Sequence, residues 1–150
     1  MSQLEAKIKV AIVVAQKARD EQTLSVLRML ISAIRNQAIS LRQGDAVLLS
    51  DEQVEQVIRS EVKRRLDSVS AFTQGHRPEL AAKEQTEANM LAAYLPVGMS
   101  EAEVEALVRR VHTSKPEAAF GQVMGAVMAE AKGRADGNLV GRLVKQIMAE

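Results

Sequence analysis

The sequence predicts an all-α protein, and two observations carry that prediction. Apolar residues recur at spacings of three and four through most of the 150 residues, and no stretch alternates convincingly with the period of two that strands require. The composition, with 47% hydrophobic and 26% charged residues, matches an ordinary globular protein. Glycine, proline and capping residues divide the chain into seven helices, four before Pro96 and three after it.

The first two helices are expected at about residues 3–18 and 24–43. The first has one apolar face, formed by Leu4, Ile8, Ala11, Ile12 and Ala15. The second has the clearest periodicity, and Gly44 is expected to end it. Its apolar face consists of Leu24, Leu27, Ile31, Ile34, Ala38 and Leu41.

Capping signals define the next two helices. Ser50 and Gln53 have the spacing of a capping box, which opens a third helix that is expected to end at Gly75. Its apolar residues are Val54, Val57, Ile58, Val62, Leu66, Val69 and Phe72. Pro78 suits the first turn of a fourth helix, which carries Leu80, Leu91 and Tyr94.

The strongest interruption of the helical pattern lies at Pro96 and Gly98. Proline disfavours helical geometry in the residue before it, and glycine follows two positions later. We therefore expect an N-terminal domain over residues 1–95 and a C-terminal domain over residues 96–150.

Three shorter helices are expected in the C-terminal domain. Ser100 and Glu103 form a second capping-box pattern, and Lys115-Pro116 closes the helix that they open. A sixth helix is expected at about residues 117–131, with its inner face formed by Phe120, Val123, Met124 and Val127. Gly133 ends it and Asp136 caps the last helix, whose apolar face is Leu139, Val140, Leu143, Val144 and Ile147.

Composition excludes several classes of site. The absence of cysteine removes disulfides, thiolate metal sites and cysteine nucleophiles, and it favours a cytoplasmic location. Three aromatic residues cannot supply a platform for stacked bases. Two distant histidines make no metal site, and the apolar run from Val10 to Ala15 is too short to span a membrane. We therefore expect no cofactor, metal or membrane partner.

Glycines concentrate in the C-terminal part of the chain. Each glycine inside a helix costs about 1 kcal/mol relative to alanine, so Gly121, Gly125 and Gly141 need a compensating role. Close packing between helices is one interpretation, since Gly121 and Gly125 share a face. The other is that these glycines let the phosphates of a ligand approach the start of the last helix.

Basic residues cluster in the segment 132–145, which also contains Gly133, Gly137 and Gly141. The candidate nucleic-acid-binding residues are Lys132, Gly133, Arg134, Gly137, Arg142 and Lys145, and Asp136 is the only acid among them. The alternative is a capped turn with ordinary surface cations. A second basic stripe, formed by Arg28, Arg35 and Arg42, either contacts a partner or covers a neighbouring helix with its side-chain stems.

The segment from Phe120 to Val140, and Lys132-Gly-Arg-Ala-Asp-Gly137 above all, closely resembles the C-terminal signature of the YqeY-like proteins. The segments Leu24-Ser-Val-Leu-Arg-Met-Leu, Glu61-Val-Lys-Arg-Arg and Tyr94-Leu-Pro are similar to the family's other marks, so the resemblance covers essentially the whole chain. A related domain forms the tail of the B subunit of glutamyl-tRNA(Gln) amidotransferase. The resemblance implies four helices followed by a three-helix module. Because the related tail of the amidotransferase helps to hold tRNA, the resemblance also implies contact with tRNA.

The residues themselves argue against autonomous amide transfer. No activated nucleophile and no phosphate-binding glycine loop can be recognised, so no catalytic residue is expected. We expect a cytoplasmic, non-catalytic helical protein that contacts tRNA or a tRNA-processing partner. One alternative is a protein–protein adaptor that uses a groove of the C-terminal module. Another is an accessory role in a glutamine-dependent amidotransferase, which is a carbon–nitrogen ligase.

Overall fold

A computed structural model describes residues 1–41 and 48–150, and these ranges contain seven α-helices and no β-strand. The helices are α1 (Gln3–Lys17), α2 (Glu21–Ser40), α3 (Asp51–Gln74), α4 (Pro78–Ala92), α5 (Glu101–Ser114), α6 (Phe120–Ala131) and α7 (Gly137–Met148). The all-α prediction is confirmed. Gly44 and Arg42 lie outside the described residues.

Two predicted helix starts are wrong by three residues. Helix α2 begins at Glu21 because Asp20 caps it, accepting hydrogen bonds from the backbone N–H and the hydroxyl of Thr23 at 3.2 and 2.7 Å. Helix α6 begins at Phe120 because Ala119 is in an extended conformation. Phe120, which was expected to point inward, is 40% exposed.

The predicted capping box of α3 is confirmed. The Ser50 hydroxyl accepts a hydrogen bond from the Gln53 N–H at 3.2 Å, and the Gln53 side chain accepts one from the Ser50 N–H at 2.9 Å. Two N–H groups that lack a partner within the helix are thereby satisfied. Gly75 is the C-terminal cap, as expected.

The chain divides into two compact units, Met1–Leu95 and Pro96–Glu150. The first contains α1 to α4, with α1 packed on α2 and α3 packed along α4. Its core consists of Ile8, Val26, Leu27, Leu30, Ile31, Ile34, Leu49, Val54, Ile58 and Leu91. None of the helices within the described ranges is long and apolar enough to cross a membrane.

The first unit also contains a buried group of charges. Arg65 Nη1 lies 2.9 Å from Glu61 Oε2, and Arg65 Nε lies 3.6 Å from Glu87 Oε2. The side chains of Arg65, Glu61 and Glu87 are 6%, 11% and 14% exposed. Arg65 therefore links two turns of α3 and connects α3 to α4.

The second unit contains α5, α6 and α7 around one core. Its buried residues are Val104, Leu107, Val108, Val111, Val123, Val127, Ala131, Val140, Leu143, Val144 and Ile147. Ser100 and Asp136 cap α5 and α7, as predicted. This small module places the α6–α7 turn beside the segment that leads into α5.

Candidate functional site

The turn between α6 and α7 is built on two consecutive residues with positive φ angles. Lys132 has a φ of 48° and ends α6, and Gly133 follows with a φ of 76°. Glycine adopts this conformation freely, whereas a residue with a Cβ atom is strained there. Lys132 thus occupies a position that glycine would fill at lower cost.

Arg134 has a structural function in this turn. Its Nε donates a hydrogen bond to the Val97 carbonyl at 2.8 Å, and its own carbonyl accepts one from the Met99 N–H at 2.8 Å. These bonds fasten the segment before α5 to the α6–α7 turn. The guanidinium of Arg134 therefore already has a partner within the protein, and its role in this turn is structural.

The N-terminus of α7 is occupied by a carboxylate. Asp136 is the N-cap residue and accepts a hydrogen bond from the Asn138 N–H at 3.4 Å. Gly137 is the first residue of the helix. A phosphate at this helix end would have to share it with the negative charge of Asp136.

Arg142 and Lys145 lie on the face of α7 opposite its buried residues. Arg142 Nη2 contacts Glu101 Oε1 at 3.1 Å, and both side chains are largely exposed. Exposed ion pairs of this kind are weak and exchange readily with another anion. Lys145 is exposed and has no ion pair within residues 1–41 and 48–150.

The packing interpretation of Gly121 and Gly125 is wrong. Both glycines are exposed, and a Cβ atom added at either one would meet no atom within 4 Å. Together with Ala129 they form a smooth stripe along the outside of α6, which we call the open face of α6. The sequence pattern identified the shared face but could not tell that it points to solvent.

The glycines of α7 do face another helix. A Cβ on Gly137 would lie 4.0 Å from Met128 Cε, and one on Gly141 would lie 3.9 Å from Met124 Cε. Both methionines are half-buried. These two pairs show that α6 and α7 run antiparallel. Lys132 therefore lies at the turn of the hairpin, and Lys145 lies beside the first turn of α6.

The side of the turn that faces α5 is electrically balanced. A hollow of about 410 Å³ there is lined by Met99, Glu103, Ala106, Leu107, Arg110, Glu130 and Arg134. Arg110 Nη2 and Glu130 Oε2 form an ion pair at 2.6 Å. Carboxylates compensate the arginines here, so this hollow has no net positive charge to attract an anion.

The basic stripe on α2 is exposed. Arg28 and Arg35 lie on the outer face of the helix and have no ion pair within the described ranges. No acidic residue occurs from Gln22 to Ser40. Contact with a partner and cover for a neighbouring helix both stay predictions at these two positions, since an arginine with an exposed head can still pack its stem on apolar surface.

A metal centre is not formed by the described part of the chain. No group of three or more histidine, aspartate or glutamate side chains there could hold a metal ion. The two histidines are on separate units, with His76 following α3 and His112 in the last turn of α5.

Comparison with known proteins gives distant relatives. A protein of Pyrenophora tritici-repentis is 26% identical over 140 residues, which cover 89% of this chain and 75% of the relative. A protein of Saccharomyces cerevisiae is 29% identical over 114 residues, covering 74% of this chain and 57% of the relative. Both are named "Altered inheritance of mitochondria protein 41, mitochondrial". The chain thus matches little more than half the length of the yeast relative.

These names contradict the expected cytoplasmic location, because the relatives are mitochondrial proteins. That expectation rested on the absence of cysteine. A chain without thiols can form neither disulfides nor reactive cysteines in any compartment, so its cysteine content carries no information about location.

The family resemblance extends along nearly the full chain. A family model described as "Yqey-like protein" matches residues 5–148, which include both compact units and the whole α6–α7 hairpin. The resemblance that Lys132-Gly-Arg-Ala-Asp-Gly137 indicated is confirmed. The chain belongs to the YqeY-like protein family.

Proposed function

We propose that this protein is a non-catalytic helical module whose α6–α7 hairpin contacts tRNA. The two compact units then correspond to a four-helix N-terminal domain and a three-helix domain like the amidotransferase tail. In that enzyme the related tail is thought to help hold tRNA, while amide chemistry takes place in other subunits or domains.

The observation that carries the proposal is the open face of α6. Gly121 and Gly125 leave backbone exposed where a Cβ would meet nothing, at a propensity cost of about 1 kcal/mol each. A sugar–phosphate backbone can approach such a surface more closely than one covered by side chains. In the antiparallel register of the hairpin, Lys132 lies near one end of this face and Lys145 of α7 lies near the other, and the 12 residues of α6 span about 18 Å.

The type of contact follows from the side chains that are available. Lysine and arginine bind phosphates through charge, and these contacts position a nucleic acid without reading its sequence. With three aromatic residues in the chain, stacking on unpaired bases contributes little. Recognition should therefore depend on the shape of a folded RNA.

The test is the salt dependence of binding to folded tRNA. Lys132→Gly removes a charge at a position where glycine fits the backbone, and Lys145→Ala removes an exposed charge. The double variant should bind more weakly, and the slope of log affinity against log salt should fall by up to about two. Lys115→Ala, also in the second unit, is the matched control and should leave the slope unchanged.

Two results would reject RNA binding at this surface. One is a slope that the double variant shares with the wild type. The other is the absence of any binding by the wild type at about 100 mM salt and tens of micromolar protein, where non-specific electrostatic binding is normally detectable.

A specific observation also favours the adaptor function. Met124 and Met128 form a flexible apolar floor against the glycines of α7, and methionine-rich surfaces adapt to the helices of partner proteins. Binding of a partner helix there would bury apolar surface and would depend little on salt. A ligand whose affinity is insensitive to salt but lost in Met124→Asp would identify this function.

A further inference from the structure

Helix α1 carries apolar residues on two opposite faces. Its inner face includes Ile8 and Ala15, which are buried in the first unit. Its outer face includes Val10, Val13 and Val14, which are 64%, 49% and 60% exposed. The three valines leave an apolar stripe exposed on a helix whose opposite face is already packed, and exposed apolar patches mark interaction surfaces, so the outer face points to a partner.

The three outer valines form a continuous seam. Val13 and Val14 follow Val10 at spacings of three and four, which places all three side chains on one stripe. Their side chains are branched at Cβ and therefore rigid, and this spacing is the one that packs against a single facing helix. The seam is thus shaped for one helix rather than for a small ligand.

Cations lie at both ends of this seam. Lys7 is one turn before Val10, and its Nζ lies 5.9 Å from the centre of the Tyr94 ring. Lys17 is one turn after Val13 and has no ion pair within residues 1–41 and 48–150. Glu5 is the only acid within α1, and it contacts Lys9 at 3.4 Å.

A second copy of this chain does not suit the seam. An antiparallel pair that aligned the valines would place Val10 against Val14, and Lys7 of one copy against Lys17 of the other. A parallel pair would bring each lysine against itself. Like charges meet in both arrangements, and this opposes self-association.

A membrane surface suits the seam less well than a protein helix. Interfacial helices insert large residues such as tryptophan, phenylalanine and leucine, whereas this face offers three short valines. We propose that the outer face of α1 docks one amphipathic helix of another protein, with carboxylates flanking apolar residues at spacings of three and four. This surface is independent of the hairpin assigned to tRNA.

The probe is a synthetic helical peptide with leucines along one seam and glutamates beside it at both ends. Its affinity for the full chain is measured by fluorescence anisotropy, together with that of a matched peptide carrying lysines in place of the glutamates. The acidic peptide should bind at least about tenfold more tightly than the basic one. Val10→Asp should weaken its binding by at least about tenfold.

Two variants make the assignment specific. Met29→Asp introduces the same charge at a 55% exposed position in the middle of α2, and it should leave binding unchanged. Lys17→Glu should weaken binding of the acidic peptide, and a peptide with lysines at the matching end should restore it. Circular dichroism verifies that each variant keeps its helices.

Three results would overturn the proposal. The acidic and basic peptides could bind equally, or neither could bind. Sedimentation could give a dimer that Val10→Asp dissociates, which would assign the seam to a second copy. Vesicles containing anionic phospholipid could bind the chain in a manner that Val10→Asp abolishes, which would assign the seam to a membrane surface.

Discussion

Strain is concentrated at a single residue of the α6–α7 turn. Lys132 holds a left-handed conformation with φ of 48°, which costs a residue other than glycine about 1 kcal/mol. Lys132→Gly should therefore raise the free energy of unfolding by about 0.5–1 kcal/mol. Thermal melting of the two proteins measures the difference, and a lower melting temperature for the variant would contradict the strain.

The buried charges of the first unit should be sensitive to the loss of one partner. Glu61 accepts a hydrogen bond from Arg65 Nη1 at 2.9 Å, in a place with little access to water. Glu61→Ala would leave the charge of Arg65 with Glu87 alone, and removal of one partner from such a group costs about 3–5 kcal/mol. Urea unfolding measures this loss. A cost below about 1 kcal/mol would mean that water screens the group.

Acid should weaken one contact of the second unit. Arg109 donates hydrogen bonds to Glu150 at 2.7 and 3.0 Å, and these bonds hold the pKa of that carboxyl below its usual value. A depressed pKa adds stability above the pKa of the unfolded chain, and that stability disappears as the pH falls through the folded value. Melting at about pH 6 and about pH 3.5 should reveal a larger decrease for the wild type than for Glu150→Gln. Equal decreases would contradict the contact.

Local signals predicted the residue contacts that lie within one or two turns. The spacing of Ser50 and Gln53 predicted the capping box, and Glu61 and Arg65 have the spacing of four at which side chains on one helix meet. Glu87 could not be assigned to Arg65, because the packing of α3 on α4 brings them together. Long-range partners of this kind have no signature in local sequence.

Helix boundaries were predicted well where a capping residue stood alone. They were predicted poorly between α1 and α2, where the second helix was expected to begin at about residue 24. Asp20 is in fact the cap of the next helix. The exposure of Gly121 and Gly125 on α6 was not predicted either. Glycine has no side chain whose polarity would indicate burial or exposure.

The segment before α5 depends on the turn that follows α6. Arg134 Nε bonds to the Val97 carbonyl, and the Met99 N–H bonds to the Arg134 carbonyl. Arg134→Ala should cost about 1 kcal/mol, and opening of the segment should speed hydrogen exchange at the Met99 amide. Lys115→Ala serves as the control. An unchanged exchange rate at Met99 would mean that the backbone bond holds the segment without the guanidinium.

At the scale of the whole molecule, the sequence predicted the helical class and the family, while composition failed to predict the compartment. Helical periodicity and the Lys132-Gly-Arg-Ala-Asp-Gly137 signature carry information about fold and ancestry. The basic site was predicted from the cations, the glycine turn at the start of the last helix and the family resemblance. Arg134, Asp136 and Arg142 have contacts within the second unit, and the proposed function therefore centres on the open face of α6 and the lysines near it.

The most direct test of this account is the affinity of Gly125→Leu for folded tRNA. A Cβ atom at this position would meet no atom within 4 Å, and leucine favours the helix by about 1 kcal/mol relative to glycine, so the melting temperature should stay the same or rise. The side chain would project from the open face of α6 and should weaken tRNA binding by at least about tenfold. Wild-type affinity in a variant that melts as expected would contradict close approach of RNA to this face.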